Sequence, residues 1–261
     1  MQNRILLFIL ITFLTGQYTY AQSFKIENGD TINRIDSNNL RQGKWIEPRG
    51  MVSFQGRYVN NLREGVWTYY GVDGIPITLE EYQNGQKNGI AIVMDEKGRL
   101  RNERHFKNDK LDGLNAFYST EGIISFKRYY KQNVLHGDFY SYYEDGTLKE
   151  HNYYQDGKKD SISTYYNEKG VAIAIIHYSN GNLDGLYKTL YGNGITRSTQ
   201  HYKSNESVGK YKEYFENSRV KITGQFRDGK KDGKWIEFGI DGKKVKETSY
   251  KLGEAVKEKV Y

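Results

Sequence analysis

The chain has 261 residues, a net charge of +7, 24 Tyr and 28 Gly, with only 2 Pro and no Cys. Without cysteine there are no disulfides and no thiolate metal sites, and the aliphatic content is too low for a thick conventional core. Length by itself allows one or two domains, a prior that internal repetition overrides.

The chain opens Met1-Gln2-Asn3-Arg4, runs apolar from Ile5 to Leu14 and reaches Thr19-Tyr20-Ala21. A short basic start, an apolar run and small residues at the last and third-last positions predict a signal peptide over residues 1–21, cleaved after Ala21. The mature protein is therefore expected to be exported to the periplasm, the outer surface or the medium. The apolar run falls well short of the ~20 residues that span a bilayer, so no transmembrane segment is expected in the mature chain. Residues 22–42 are polar and lie outside the repeat described next, which predicts a linker or an N-terminal cap.

Residues 43–261 form one array. An opening glycine recurs at Gly43, Gly65, Gly89, Gly113, Gly137, Gly185, Gly209 and Gly233, with Ser161 in the remaining slot. The first step is 22 residues and the seven later ones are 24. Nine residues into the unit stands Gly74, Gly98, Gly122, Gly146, Gly170, Gly194, Ser218 or Gly242. Seventeen residues in, from Tyr82 through Tyr154 to Tyr250, every unit from Gly65 onward carries an aromatic, and a Gly, Asn or Asp follows three residues later. Gly137 to Asp160 is the clearest copy: an aromatic run (Phe139, Tyr140, Tyr142, Tyr143), a turn at Glu144-Asp145-Gly146, a second extended run from Thr147 to Tyr154, and a closing turn at Gln155-Asp156-Gly157. Aromatic residues suit a pleated, half-buried surface, and Asp-Gly supplies the positive φ of tight hairpin turns. One unit predicts one β-hairpin. The fold class is all-β: an elongated single-sheet array of about nine antiparallel hairpins with almost no helix after Ala21. Gly146 is expected at positive φ, and Ser218 to change the turn type.

Two columns predict opposite faces, because their separation along a strand is odd. The slot five residues after the opening glycine is apolar throughout (Tyr70, Met94, Tyr118, Tyr142, Tyr166, Leu190, Tyr214, Phe238) and is expected to form the core, with Tyr142 and Tyr154 more buried than Phe139. The slot two residues after it is looser (Trp67, Ala91, Asn115, Phe139, Ser163, Tyr187, Tyr211, Trp235) and is expected to line an exposed or groove-facing surface.

The segments Tyr82-Gln-Asn-Gly85-Gln-Lys-Asn-Gly89, Gly65-Val-Trp67-Thr-Tyr69-Tyr70 and Phe226-Arg-Asp-Gly229-Lys-Lys-Asp-Gly233-Lys-Trp235 resemble the MORN repeat, in the variant found in bacterial YwqK-family antitoxin-like proteins. The resemblance spans roughly Gly43 to Gly253. It implies an antiparallel meander, two strands per repeat, used for binding or scaffolding rather than catalysis.

Candidate chemical groups are better explained by structure. His105, His177 and His201 share one slot, but neighbouring units stand ~10 Å apart, too far for two imidazoles on one zinc. Glu64, Asp112, Asp160, Asp184 and Asp232 precede opening glycines and read as turn residues. No phosphate loop, nucleophile elbow, zinc-protease or calcium-loop motif occurs. The expected function is a non-enzymatic protein-interaction scaffold without metal or cofactor, its partner another protein or a cell-envelope component and not nucleic acid. A glycan or envelope-ligand module is the alternative, since exposed aromatic rings also stack on sugars or quaternary ammonium groups; an antitoxin-like role is the second. Trp67, Tyr187, Tyr211 and Trp235 are the expected binding residues, because Trp and Tyr dominate interfaces.

Overall fold

The computed structural model describes residues 22–261; the segment expected to be a signal peptide lies outside them. Twenty-one strands, from Ser23–Glu27 to Glu254–Val260, form one open sheet, with no helix among the described residues. Each strand pairs antiparallel with the one before and after it, a pure meander. At ~4.8 Å per strand the sheet runs to roughly 95 Å before twist shortens it.

Each unit uses two turns of different chemistry. In the repeat that opens at Gly137, strands Val134–Tyr142 and Leu148–Gln155 are joined through Tyr143 and Thr147, which pair around a three-residue loop, 144–146. Gly146 donates to the carbonyl of Tyr143, Tyr143 donates to that of Thr147, and Gly146 has φ +86°. This is a type I turn closed by a left-handed residue, a favoured three-residue hairpin loop. Ser218 does not change the turn: it donates to Phe215, Phe215 donates to Arg219, and the serine itself takes φ +64°. The hydrogen-bond frame outweighs the local strain of a side chain in left-handed backbone. Successive units are joined by two-residue turns such as Asp156-Gly157, at φ +49° and +79°. Positive φ at both central residues matches the twist of the flanking strands.

The acidic column is built into these turns. Glu64, Asp112, Asp160, Asp184 and Asp232 each accept the backbone N–H that opens the next two-residue turn, at Asn84, Gln132, Asn180, Ser204 and Leu252. Turn tips are also tied from unit to unit: Gly157 donates to Leu135 and Gly181 to Lys159.

The opening glycine marks a wide bulge. Arg128 pairs with Phe139 but Tyr130 pairs with Leu135, so two steps on one strand face four on the other. The same offset recurs in each later unit, for example between Ile176/Tyr187 and Tyr178/Leu183. Ser161 adopts the left-handed backbone of this slot at φ +62°. The first unit is two residues short for a local reason. Its strands close through Gly50-Met51 with Arg49 opposite Val52, which removes one loop residue, and its register has no extra bulged residue near the turn. Later units keep both, as Ser141/Glu150 and Tyr142/Leu148 show.

Residues 22–42 carry regular structure where the sequence left linker and cap open. Strands Ser23–Glu27 and Asp30–Ile35 turn at Asn28-Gly29, and the Asn33 amide bonds both backbone groups of Ile46, at 2.8 and 2.7 Å. Ile32 is 1% exposed.

Candidate binding face

The two faces of the sheet are reversed relative to the sequence expectation. The tolerant column holds the buried residues: Trp45, Trp67, Ala91, Asn115, Ser163 and Trp235 are buried, and Phe139, Tyr187 and Tyr211 half-buried. Every residue of the uniform column from Tyr70 to Phe238 is only half-buried, and Tyr142, Tyr154 and Phe139 are alike in this respect. Trp67 is 0% exposed and Trp235 6%, so neither is an open binding residue. The physical reason is the bulge. It lets the residue two places after the glycine lean back over the preceding strand and close the gap that the bulge opens.

The tryptophans show how this works. Trp67 lies over Gly56 and Trp235 over Gly224, where a Cβ would overlap the indole. Trp67 Nε1 donates to the carbonyl of Arg57 and Trp235 Nε1 to that of Gln225, each at 3.2 Å. The neighbouring rings close round them edge-on: Tyr58 stands 4.9 Å from Trp67 and Phe226 5.1 Å from Trp235. At three junctions a larger side chain on the preceding strand goes with a small residue in the tolerant slot. Glu80 is followed by Ala91, Arg104 by Asn115 and Asn152 by Ser163. At the other three junctions, Arg128 with Phe139, Ile176 with Tyr187 and Gln200 before Tyr211, two bulky groups meet, and there the aromatic stays half-buried.

These residues line up as a cross-strand spine. Trp67 pairs with Glu80, Glu80 with Ala91, Ala91 with Arg104, Arg104 with Asn115, Asn115 with Arg128, and Arg128 with Phe139. Tyr187 pairs with Gln200 and Tyr211 with Gly224 in the same row. The structure therefore places the four expected site residues on one face and in one row, at its two ends.

At the N-terminal end the polar groups are satisfied. Arg63 donates to the hydroxyls of Tyr69 and Tyr82, at 2.9 and 3.0 Å, and stacks 4.5 Å from the Trp67 ring. Tyr82 donates to Glu80 at 2.7 Å, and Lys87 holds the other carboxylate oxygen. Burial pushes the Glu80 carboxyl up, but the bonds from Lys87 and Tyr82 outweigh it and hold it below the usual range. Burial, with the Glu80 carboxylate beside it, raises the Tyr82 phenol. At the other end, burial, then the charge and hydrogen bond of Glu213, push Tyr211 up to about 12.

The middle of the spine is different. Arg104 Nε, Arg128 Nε, Asn152 Oδ1, Ser163 Oγ and Gln200 Oε1 are withdrawn from water without a hydrogen-bond partner. An orphaned buried donor or acceptor costs about 1–3 kcal/mol. Arg104 lies 5.7 Å from the Phe106 ring, and Arg128 4.6 Å from Phe126 and 5.6 Å from Tyr130. Phe117 stacks on Phe126 at 5.7 Å, and Arg101 sits 5.8 Å from Phe117. Sequence reasoning followed the uniform columns and passed over these arginines. The legible signal was a partial size compensation between the slot fifteen residues after an opening glycine and the tolerant slot of the next unit, as in Glu80 with Ala91 and Gly224 with Trp235.

Three of the five histidines have partners of their own: His105 meets Glu103 at 2.8 Å, His151 meets Asp138 at 2.7 Å, and His177 meets the Leu186 carbonyl at 2.8 Å. Shallow concavities lie along the three-residue loops, one lined by Ile77, Val93, Met94 and Arg99, another by Tyr142, Tyr143, Lys149 and Glu168. Comparison with known proteins finds no family model and no curated protein that matches this chain.

Proposed function

We propose that the chain is a MORN-like, exported, non-enzymatic repeat protein that acts as a protein-interaction scaffold, without cofactor and with a protein or cell-envelope component as partner. The observation that carries this reading is the single-layer sheet itself. Among the described residues only nine hydrophobic side chains are withdrawn from water, in a sheet of 21 strands. Both faces therefore present side chains at fixed spacing, with Phe117, Tyr129, Val66, Ile90 and Ile162 open to solvent. Rigid sheets bearing accessible rings and arginines suit interfaces, where those residues are enriched. The acidic column supports a structural role, since its carboxylates hold turn amides. The glycan alternative is the less favoured, because two of the four residues expected to stack on sugars, Trp67 and Trp235, are covered by their own neighbours. An antitoxin-like role rests on the repeat resemblance.

The test is photocrosslinking of the mature protein in a cell-envelope fraction. Crosslinkers replace Tyr187 or Tyr211 on the spine face and Ile162 on the opposite face. The reading expects one discrete protein adduct that depends on the face labelled. Adducts of equal yield from both faces, or adducts carrying only carbohydrate, defeat it.

A further inference from the structure

The geometry points to an oxyanion receptor at Arg104 and Arg128, and we propose that it takes the carboxylates of an acidic peptide segment of the partner. The inference deepens the scaffold reading and rests on it.

Arg104 and Arg128 occupy equivalent slots two strands apart, and both pair directly across Asn115. Two strand spacings put their backbones ~10 Å apart, within reach of one short segment for two long side chains. Both Nε atoms are buried and unpartnered, and neither guanidinium makes a hydrogen bond or ion pair among the described residues. Arg63 marks the contrast, because two tyrosine hydroxyls occupy its guanidinium. Around Arg104 and Arg128 three of the rings are Phe106, Phe117 and Phe126, which lack that hydroxyl. The Nη groups of both arginines are not sealed in with Nε and are likewise unpartnered among the described residues. A guanidinium stacked on a ring, with these donors unfilled, is held in place for a carboxylate or phosphate oxygen. Asn115 is fixed between them by Asn102, whose amide donates to Asn115 Oδ1 at 3.1 Å and to the Ala116 carbonyl at 2.7 Å.

A short acidic peptide fits better than a long polyanion or an anionic membrane. The cationic stretch is bounded on the same face by the protein's own carboxylates, Glu80 on one side and Glu150 on the other. Glu80 is held by Lys87 and Tyr82, and Glu150 by Ser141 and Asn152. These carboxylates interrupt the run of arginines, so the face offers no continuous cationic strip to a polymer or bilayer running along the array. Phe117, 38% exposed beside the arginines, supplies contact for an apolar residue between two acidic ones.

The experiment titrates the mature protein with acetyl-Glu-Phe-Glu-amide and, as control, acetyl-Gln-Phe-Gln-amide. Binding is read by calorimetry and by the Nε–Hε resonances of Arg104 and Arg128. The acidic peptide should shift both resonances while the amide control leaves them still, and binding should weaken as salt rises. Arg104→Gln and Arg128→Gln should each weaken it about tenfold or more, with circular dichroism unchanged. Phe106→Tyr, which restores a hydroxyl beside Arg104 without touching either arginine, should weaken it as well. Resonances that do not move with the acidic peptide overturn the proposal, as does a DNA oligonucleotide or phosphatidylserine vesicle that moves them while the peptide does not. If crosslinking at Tyr211 succeeds while this titration fails, the scaffold reading stands and the receptor does not.

Discussion

Trp235 covers Gly224 so closely that the glycine has no room for a side chain, and Trp67 covers Gly56 in the same way near the other end. Neither glycine sits at positive φ, so the constraint is steric alone. Gly224→Ala should therefore destabilise by about 1–3 kcal/mol through overpacking. Trp235→Ala should cost ~3–5 kcal/mol. Their combination should cost less than the sum, because removing the indole frees the space that the alanine needs. Denaturant titration of the three variants checks this; additivity would mean that the pair is not in contact.

Ser218 and Gly146 occupy the same turn slot at φ +64° and +86°. Ser218→Gly should raise stability by several tenths to about 1 kcal/mol, relief of left-handed strain being partly offset by the greater freedom of glycine in the unfolded chain. Gly146→Val should lower it by ~1 kcal/mol or more, because a β-branched residue is strained there. Paired thermal melts decide, and a Ser218→Gly variant that melts lower contradicts the strain argument.

Damage in a repeat array stays local. Trp67→Ala should loosen amide exchange first in the strands between Val52 and Met94, leaving the C-terminal units protected. Tyr142→Ala, on the half-buried face, should cost less than Trp67→Ala. Uniform loosening along the chain would show that the units do not respond as neighbours.

The buried ionisable pairs define two pH limits. Glu80 is held below its ordinary value of ~4.3, so its contribution is complete above that pH and is lost as pH falls through the lowered folded value. Tyr211 is pushed up to about 12 from an ordinary value of ~10, so its contribution is complete below ~10 and is lost as pH climbs toward 12. Glu80→Gln should flatten the acid limb of a stability–pH curve, and Tyr211→Phe the alkaline limb. An alkaline limb unchanged in Tyr211→Phe would assign that loss to other phenols.

Local rules are enough for the period, the hairpins and the turns, and those parts were legible. Gly146 and Asp156-Gly157 announce left-handed backbone whatever surrounds them, and the acidic column announces turn capping through Asp160 and Asp184. Asn28-Gly29 carried the same signal and was passed over, because it stands outside the 24-residue register.

Which face is buried was not legible, and the reason is the bulge. Parity along a strand correctly put Trp67 and Tyr70 on opposite faces. It could not say which face closes, because that depends on two extra residues fitting against the neighbouring strand, which only the cross-strand register reveals. Uniformity misled as well. The column from Tyr70 to Phe238 is uniform because it faces similar surroundings in every unit. The column of Trp67, Ala91 and Ser163 varies because each member fits a different residue, Gly56, Glu80 or Asn152, on the strand before it. The array and its turns have causes that lie within a few residues of chain, so they can be read from the order of residues alone. Tertiary structure decided the buried spine and the unsatisfied Arg104 and Arg128, because burial and partnering depend on what stands one strand away, ten or more residues distant in sequence.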